Sequence, residues 1–391
     1  MDTMLKIIHK KGKRLNFTYK NPTLIEFGKG KIANLKTLIP KDRTILFLYG
    51  GGSIKRNGIY EQVINALQNH NFVEFGGVEP NPTKETLDKA VLFARENNVD
   101  FILAVGGGSV IDGSKYIASA FYYDGDGWDI LENKYIPTKA LGIGAVLTLA
   151  ATGSESNSGA VITKKETKEK RFFGSPYTYP SFAVLDPDVL KSLDDRQIVN
   201  GLIDSFVHVC EQYLTTNHGC LVQDRYSEAL LLAILKLMHT VDKKDDLWYA
   251  NLMWSANQAL NGLIGSGVPQ DWATHFIGHE LSGLYGIDHA RTLAIIQPNL
   301  FRELLDEKSQ KLLQMGKNVF GMQTDDANKV INKIESLYLS LGVNLKLSSY
   351  TDDKDVAQKV TELLHKHGFD RFGINGSINK DVVEKIIKRS L

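Results

Sequence analysis

The sequence predicts a chain in two halves: a parallel α/β half followed by an all-helical half. Three observations carry that expectation. Up to about residue 188, short and continuously apolar runs alternate with amphipathic helical stretches. Beyond it, strand-like runs disappear and long helical patterns dominate. With 391 residues, the chain also has enough material for two cores, at roughly 100–200 residues per domain.

The elements follow in order. Residues 44–49 (Thr-Ile-Leu-Phe-Leu-Tyr) form a buried-strand pattern closed by Gly50-Gly51-Gly52-Ser53. A helix is expected over 59–69, with Ile59, Val63, Ile64 and Leu67 on one face. A short strand over 72–75 ends at Gly76-Gly77, and a helix over 83–98 leads into the strand 101–105, closed by Gly106-Gly107-Gly108-Ser109. Apolar strands without alternation are those buried on both faces, so the sheet is expected to be parallel and covered by helices. Later helices are expected over 197–214, 223–241, 247–263, 327–341, 356–367 and 380–389. The division is therefore a basic tail over 1–14, a sheet domain over 15–190 and a helical domain over 191–391. The tail holds Lys6, Lys10, Lys11, Lys13 and Arg14. It reads as a solvated tail or a start placed too early, with a targeting or nucleic-acid arm as the alternative. Leu15-Asn16-Phe17-Thr18-Tyr19 follows it as a strand-like alternation.

Composition excludes several classes of function. Lys and Arg number 46 against 45 Asp and Glu, a formal net charge of +1. There is no bulk attraction to nucleic acid or to an anionic membrane. With 43% apolar and 23% charged residues, long disorder is not expected. Two cysteines, Cys210 and Cys220, cannot build a disulfide framework or a four-thiolate zinc site. No apolar run is long enough for a membrane span, and none follows the basic cluster as a secretory signal would. The expected location is the cytoplasm.

The chemistry-bearing motifs fall into two groups. Glycine turns between a strand and a helix let backbone N–H groups approach phosphate, aided by the helix N-terminus. Gly107, Gly108 and Ser109 fit that role, with Asp112 placed to take a ribose hydroxyl and Lys115 a phosphate; a tight turn alone also needs glycine. In the earlier turn, Gly50, Gly51 and Ser53 have no acid to accept a ribose 2′-OH, and Lys55 and Arg56 follow. That suits a 2′-phosphate, hence NADP, unless the turn is simply solvated. Thr148 opens a third small-residue stretch, Thr148-Leu149-Ala150-Ala151-Thr152-Gly153-Ser154-Glu155, which alone is only a loop.

The second group is a set of metal-ligand types. Asp204 and His208 are i and i+4 in an apolar helix, so they share a face about 6 Å apart. His275 and His279 are again i and i+4, and His289 lies fourteen residues after His275. One carboxylate and three or four imidazoles suit Fe²⁺, Zn²⁺, Mn²⁺ or Co²⁺. Spacing does not say which histidine is left out, and an Asp–His hydrogen-bonded pair in a core is the alternative for Asp204 and His208.

These motifs, taken in order, resemble the iron-containing alcohol dehydrogenase family, specifically its NADPH-dependent butanol dehydrogenase and aldehyde reductase branch. The resemblance runs through Phe27-Gly28-Lys29-Gly30, Tyr49 to Ser53, Glu79-Pro80-Asn81-Pro82, Gly106 to Asp112, Ala151 to Glu155, Asn261-Gly262 and Gly267 to His275. It implies a Rossmann-like N-terminal domain, an all-helical C-terminal domain (a dehydroquinate synthase-like architecture), a site in the cleft between them, and a homodimer. It implies Asp204, His208, His275 and His289 as metal ligands, with His279 instead lining the substrate pocket. Lys170 is implied at the nicotinamide-side ribose. Leu193-Asp194-Asp195 stands where Leu-Pro-Pro is common in the family.

The reaction this implies is RCHO + NADPH + H⁺ ⇌ RCH₂OH + NADP⁺. The carbonyl would be polarised by one Fe²⁺ or Zn²⁺ per chain, with His279 as proton relay and Trp272, Phe276 and Leu263 as pocket walls. Two other readings stay open: a zinc-dependent carbon–oxygen lyase of the dehydroquinate synthase kind, and a non-catalytic nucleotide- or metal-binding module.

Overall fold

The computed structural model describes residues 15–217 and 219–391. The basic tail over 1–14 lies outside the described residues. Six parallel strands form the main sheet: β1 (Leu24–Phe27), β2 (Thr44–Tyr49), β3 (Asn71–Phe75), β4 (Phe101–Gly106), β5 (Gly142–Leu147) and β8 (Phe182–Leu185), in the order β1-β8-β5-β4-β2-β3. β4 is central and buried at every position, and Ile45 to Leu48 of β2 are fully buried. That double burial is why both read as unbroken apolar runs. The edge strands β1 and β3 are only half-buried and carry Glu26 and Glu74.

Helices of eight residues or more are numbered in chain order. The sheet is covered by α1 (Ile59–Leu67), α2 (Lys84–Glu96) and α3 (Gly108–Ala120). α3 follows β4 directly, so the turn Gly106-Gly107 sits at the carboxyl end of the central strand. The sequence did not signal an antiparallel hairpin of β6 (Gly159–Lys164) and β7 (Glu169–Gly174), with Thr163 opposite Lys170. β7 opens Glu169-Lys170-Arg171 and lacks the apolar run that betrays a buried strand. β5 escaped notice because Gly142 and Gly144 dilute it. At Gly144 a Cβ would collide with the Phe182 ring, which stacks on Phe101.

The remaining helices are α4 (Asp195–Tyr213), α5 (Leu221–His239), α6 (Asp246–Ala259), α7 (Ala273–Tyr285), α8 (His289–Glu303), α9 (Leu305–Asn318), α10 (Ala327–Ser340), α11 (Val356–Lys366) and α12 (Lys380–Ser390). Packing divides the chain into two units. One holds 20–198 and 242–261; the other holds 199–241, 262–391 and the described residues up to Tyr19. The boundary thus falls inside α4, and α6 packs with the sheet unit, whereas the sequence division assigns all of 191–391 to one helical domain. Lys191 Nζ lies 2.6 Å from Asp246 Oδ1, and Trp254 meets Phe27 edge-on at 5.5 Å. Composition cannot reveal such a return, because an amphipathic helix looks the same whichever core it covers. α6 also ends at Ala259, four residues before the expected 263. Residues 15–19 form no strand; Leu15 and Phe17 instead lie against Gly267, where a Cβ would meet both side chains. Among the described residues, no helix is long and apolar enough to cross a membrane.

Candidate functional site

α4 is begun by a reciprocal cap. Gln197 N donates to Asp194 Oδ1 at 2.7 Å, and Asp194 N donates to Gln197 Oε1 at 3.4 Å. Asp194, one of the departures from the family pattern, therefore starts the helix that carries the acid. Leu202, Ile203, Phe206 and Val207 bury it, leaving Asp204, His208 and Glu211 on one stripe at i, i+4 and i+7. His275 lies in the first turn of α7. Gly286, at φ 65°, ends α7, and His289 is the first residue of α8. A Cβ on Gly278 would come within 2.9 Å of Leu293 Cδ2 and Thr292 Oγ1. Only glycine lets α7 and α8 approach this closely.

Three imidazoles converge on one oxygen. Asp204 Oδ1 is 3.5 Å from His208 Nε2, 3.6 Å from His275 Nε2 and 3.8 Å from His289 Nε2. Donor atoms of Asp204, His208 and His275 all lie within 4.8 Å of one another, and all three residues are buried. These separations are too long for hydrogen bonds. They match the edge of a tetrahedron of ligands at ~2.1 Å from a cation, which is about 3.4 Å. Asp204 Oδ1 and His275 Nε2 are buried without a hydrogen-bond partner, a costly state for polar atoms unless something binds there. The donor set therefore fits a divalent cation and disfavours the hydrogen-bonded Asp–His pair.

Burial and charge set the ionisation. Burial pulls His208 down to about 4. Burial pulls His275 the same way, but the Glu211 and Asp204 carboxylates outweigh it and raise the group to about 9. Asp204 would be raised by burial, yet His208, His275 and His289 hold it well below the usual carboxylate range. His279 is half-buried, its ring 5.0 Å from that of His289 and 5.9 Å from that of His275. Trp272 lies edge-on to His208 and His275 at 6.2 and 5.5 Å. Phe276 packs instead on Phe369 and Phe372.

Sequence reasoning missed Glu211, although its i+7 spacing from Asp204 on an apolar helix is a readable signal. It missed Asp271 and Lys308 for a better reason. Lys308 Nζ donates to Asp271 Oδ2 at 2.7 Å and to Leu214 O at 2.9 Å, a contact that only the packing of α9 creates.

In the sheet unit, the structure brings Gly106–Ser109 together with Thr148, whose N–H donates to Gly106 O at 3.0 Å. Packing accounts for part of the glycine pattern. A Cβ on Gly108 would come within 2.5 Å of Thr152 Oγ1, one on Gly107 within 3.1 Å of Leu149 Cβ, and one on Gly50 within 3.2 Å of Val78 O. Gly51 and Gly52 differ, because a Cβ on either would meet nothing within 4 Å. No neighbour among the described residues demands glycine at position 51. Ser53, two positions on, is exposed.

Three residues expected at the cofactor already have partners within the protein. Asp112 accepts Ser154 Oγ–H at 2.5 Å and Val161 N–H at 2.9 Å, so both its oxygens already brace the 154–161 segment. Lys115 is fully buried and donates to Ser154 Oγ, Asn157 Oδ1 and Gly159 O at 2.7, 3.1 and 2.6 Å. All three of its N–H donors serve the protein rather than a phosphate. Lys55 Nζ lies over the Tyr49 and Tyr60 rings at 4.9 and 4.6 Å and 3.9 Å from Glu74 Oε2, so its charge is already engaged. Lys170 Nζ donates to Asn81 Oδ1 at 2.9 Å.

The family described as "Iron-containing alcohol dehydrogenase" matches residues 22–187, and the C-terminal family of Fe-containing alcohol dehydrogenases matches 198–391. The NADPH-dependent aldehyde reductase YqhD of Escherichia coli is 46% identical over 95% of this chain and 98% of its own length. A probable NADH-dependent butanol dehydrogenase of Bacillus subtilis is 41% identical over 96% of this chain and all of its own. A crystal structure of YqhD superposes with a TM-score of 0.94 at 45% identity, covering 96% of this chain and 99% of that one. With both family halves matched in order along almost its whole length, the chain belongs to the iron-containing alcohol dehydrogenase family.

Proposed function

We propose that this protein is a metal-dependent, NADP(H)-linked aldehyde reductase that interconverts short to medium primary alcohols and their aldehydes. The observation that carries the reading is the convergence of three imidazoles on Asp204 Oδ1, buried and without a hydrogen bond. When bound, the divalent cation would supply Lewis-acid polarisation of the carbonyl and the reduced nicotinamide its hydride. Asp204, His208, His275 and His289 would hold Fe²⁺ or Zn²⁺. The backbone of Gly107, Gly108 and Ser109, at the start of α3, would bind the pyrophosphate. Thr148 and Lys170 would contact the nicotinamide end, with Asp112 and Lys115 as braces for the loop. Trp272 would wall the substrate site and exclude water. His279, half-buried beside His289, would pass the proton that completes the alcohol.

Preference for the 2′-phosphate is supported by the acid-free turn over 50–53, by the open space at Gly51, and by similarity to an NADPH-dependent aldehyde reductase. The relative named as NADH-dependent makes the cofactor a point to measure. The family resemblance supports a homodimer. The deciding experiment is a steady-state screen of aldehydes with NADPH and NADH, after metal removal and stepwise return of Fe²⁺ and Zn²⁺. Metal-restored, NADPH-consuming reduction of butanal is the expected outcome. No net cofactor consumption with any aldehyde would refute the reading.

A further inference from the structure

Glu211 is buried in α4, its side chain 3% exposed, and it has no lysine or arginine partner among the described residues. A carboxylate in that position is costly unless something compensates it. Two things do. Its Oε1 accepts the backbone N–H groups of Thr274 and His275 at 2.7 and 3.3 Å, at the positive end of the 13-residue helix α7. Its Oε2 meets His275 Nδ1 in a hydrogen bond. The neighbouring acid Asp271 is different: Lys308 neutralises it, and its Oδ1 accepts the N–H of Ala273.

The two oxygens of Glu211 fix the two variables of one imidazole. Oε1 anchors the backbone that carries the ring. Oε2, a pure acceptor when ionised, requires the proton on Nδ1. In the neutral ring, the form that binds a cation, Nε2 then carries the lone pair, and it is this atom that lies 3.6 Å from Asp204 Oδ1 and is buried without a hydrogen bond. We propose that Glu211 is a positioning residue that selects Nε2 of His275 as the metal-ready nitrogen and aims it at Asp204. The inference rests on the metal reading above, and extends it from the ligands to the group behind them.

The test exploits the difference between a cap and a selector. Glu211→Gln keeps an oxygen for the helix N–H groups but replaces the second acceptor with an NH₂ donor. That donor calls for an unprotonated Nδ1 and drives the proton onto Nε2. Zinc affinity of the chelator-stripped protein is read by competition with a chromophoric chelator, alongside the melting temperature of the metal-free protein. The expected result is a roughly 10–100-fold loss of zinc affinity, the range for groups behind a metal ligand, with metal-free melting unchanged. Wild-type zinc affinity in a folded Gln variant would reduce Glu211 to a helix cap and overturn the proposal. So would a lowered affinity matched by an equal loss of metal-free stability. Should the Gln chain fail to fold, Glu211→Asp decides. Its carboxylate stays charged but is drawn back by one methylene from His275 Nδ1. A loss of at least fivefold is expected there, and wild-type affinity overturns the proposal. A wild-type protein that binds no zinc, Fe²⁺ or Co²⁺ sinks the metal reading itself, which separates that failure from this one.

Discussion

Position 51 holds a glycine that no neighbour among the described residues requires, two positions before an exposed serine and in a turn without an acid. Gly51→Asp adds a carboxylate there without a packing penalty. Gly50 is a poorer choice, because its Cβ would press on Val78 O at 3.2 Å. The carboxylate would repel a 2′-phosphate and accept a 2′-OH. The expected outcome is a fall of at least tenfold in kcat/KM for NADPH, with NADH unchanged or improved. An unaltered NADPH-to-NADH ratio removes this turn from cofactor selection. The histidines separate in the same way. His275→Ala should lose the metal, since it deletes a donor that converges on Asp204. His279→Ala should keep about one metal ion per chain while turnover falls. Metal analysis beside activity decides both, and loss of metal from the His279 variant would make that residue a ligand.

At the scale of elements, the site depends on how two helices meet. α7 and α8 bring His275 and His289 together because Gly278 offers no side chain to Leu293 and Thr292. Gly278→Val forces those contacts to yield, at a cost of about 1–3 kcal/mol for overpacking. It should lower the melting temperature and weaken zinc binding together, since His289 moves with α8. A variant with lower stability but wild-type zinc affinity would show that the helix pair tolerates separation. The glycine turn after β4 obeys similar logic: Gly106 and Gly108 are held by Val110 and Thr152, so substitutions there damage the fold before they report on phosphate.

Over the whole molecule, near-balanced charge leaves the pH dependence of stability to particular buried groups. Lys115 is the clearest. Burial pulls it down to about 8 from 10.5, against the opposing pull of Asp112 and Glu155. Between those values the unfolded chain holds the proton that the folded chain has lost, so linkage makes stability rise with pH. The gain reaches roughly 3 kcal/mol by pH 10.5, at 1.36 kcal/mol per unit. The stability of wild type relative to Lys115→Met, from urea unfolding, should climb between pH 8 and 10.5. A flat difference would mean that the ammonium is not destabilised by its burial.

The sequence by itself determined what local pattern can encode. Doubly buried strands announce themselves as apolar runs, as β2 and β4 do, and Asp204 in an apolar helix declares a costly group with a reason to be there. Spacing along one helix likewise placed His208 beside Asp204. Tertiary structure alone decided which partners those groups found. Lys115 and Asp112 look like ligand contacts in the turn, yet three loop acceptors and two loop donors claim them first. The gathering of His275 and His289 with Asp204, the Lys308–Asp271 pair and the return of α6 to the sheet all join residues far apart in the chain. Periodicity reports which face of an element is apolar, and the partner for that face is fixed only when the chain closes on itself.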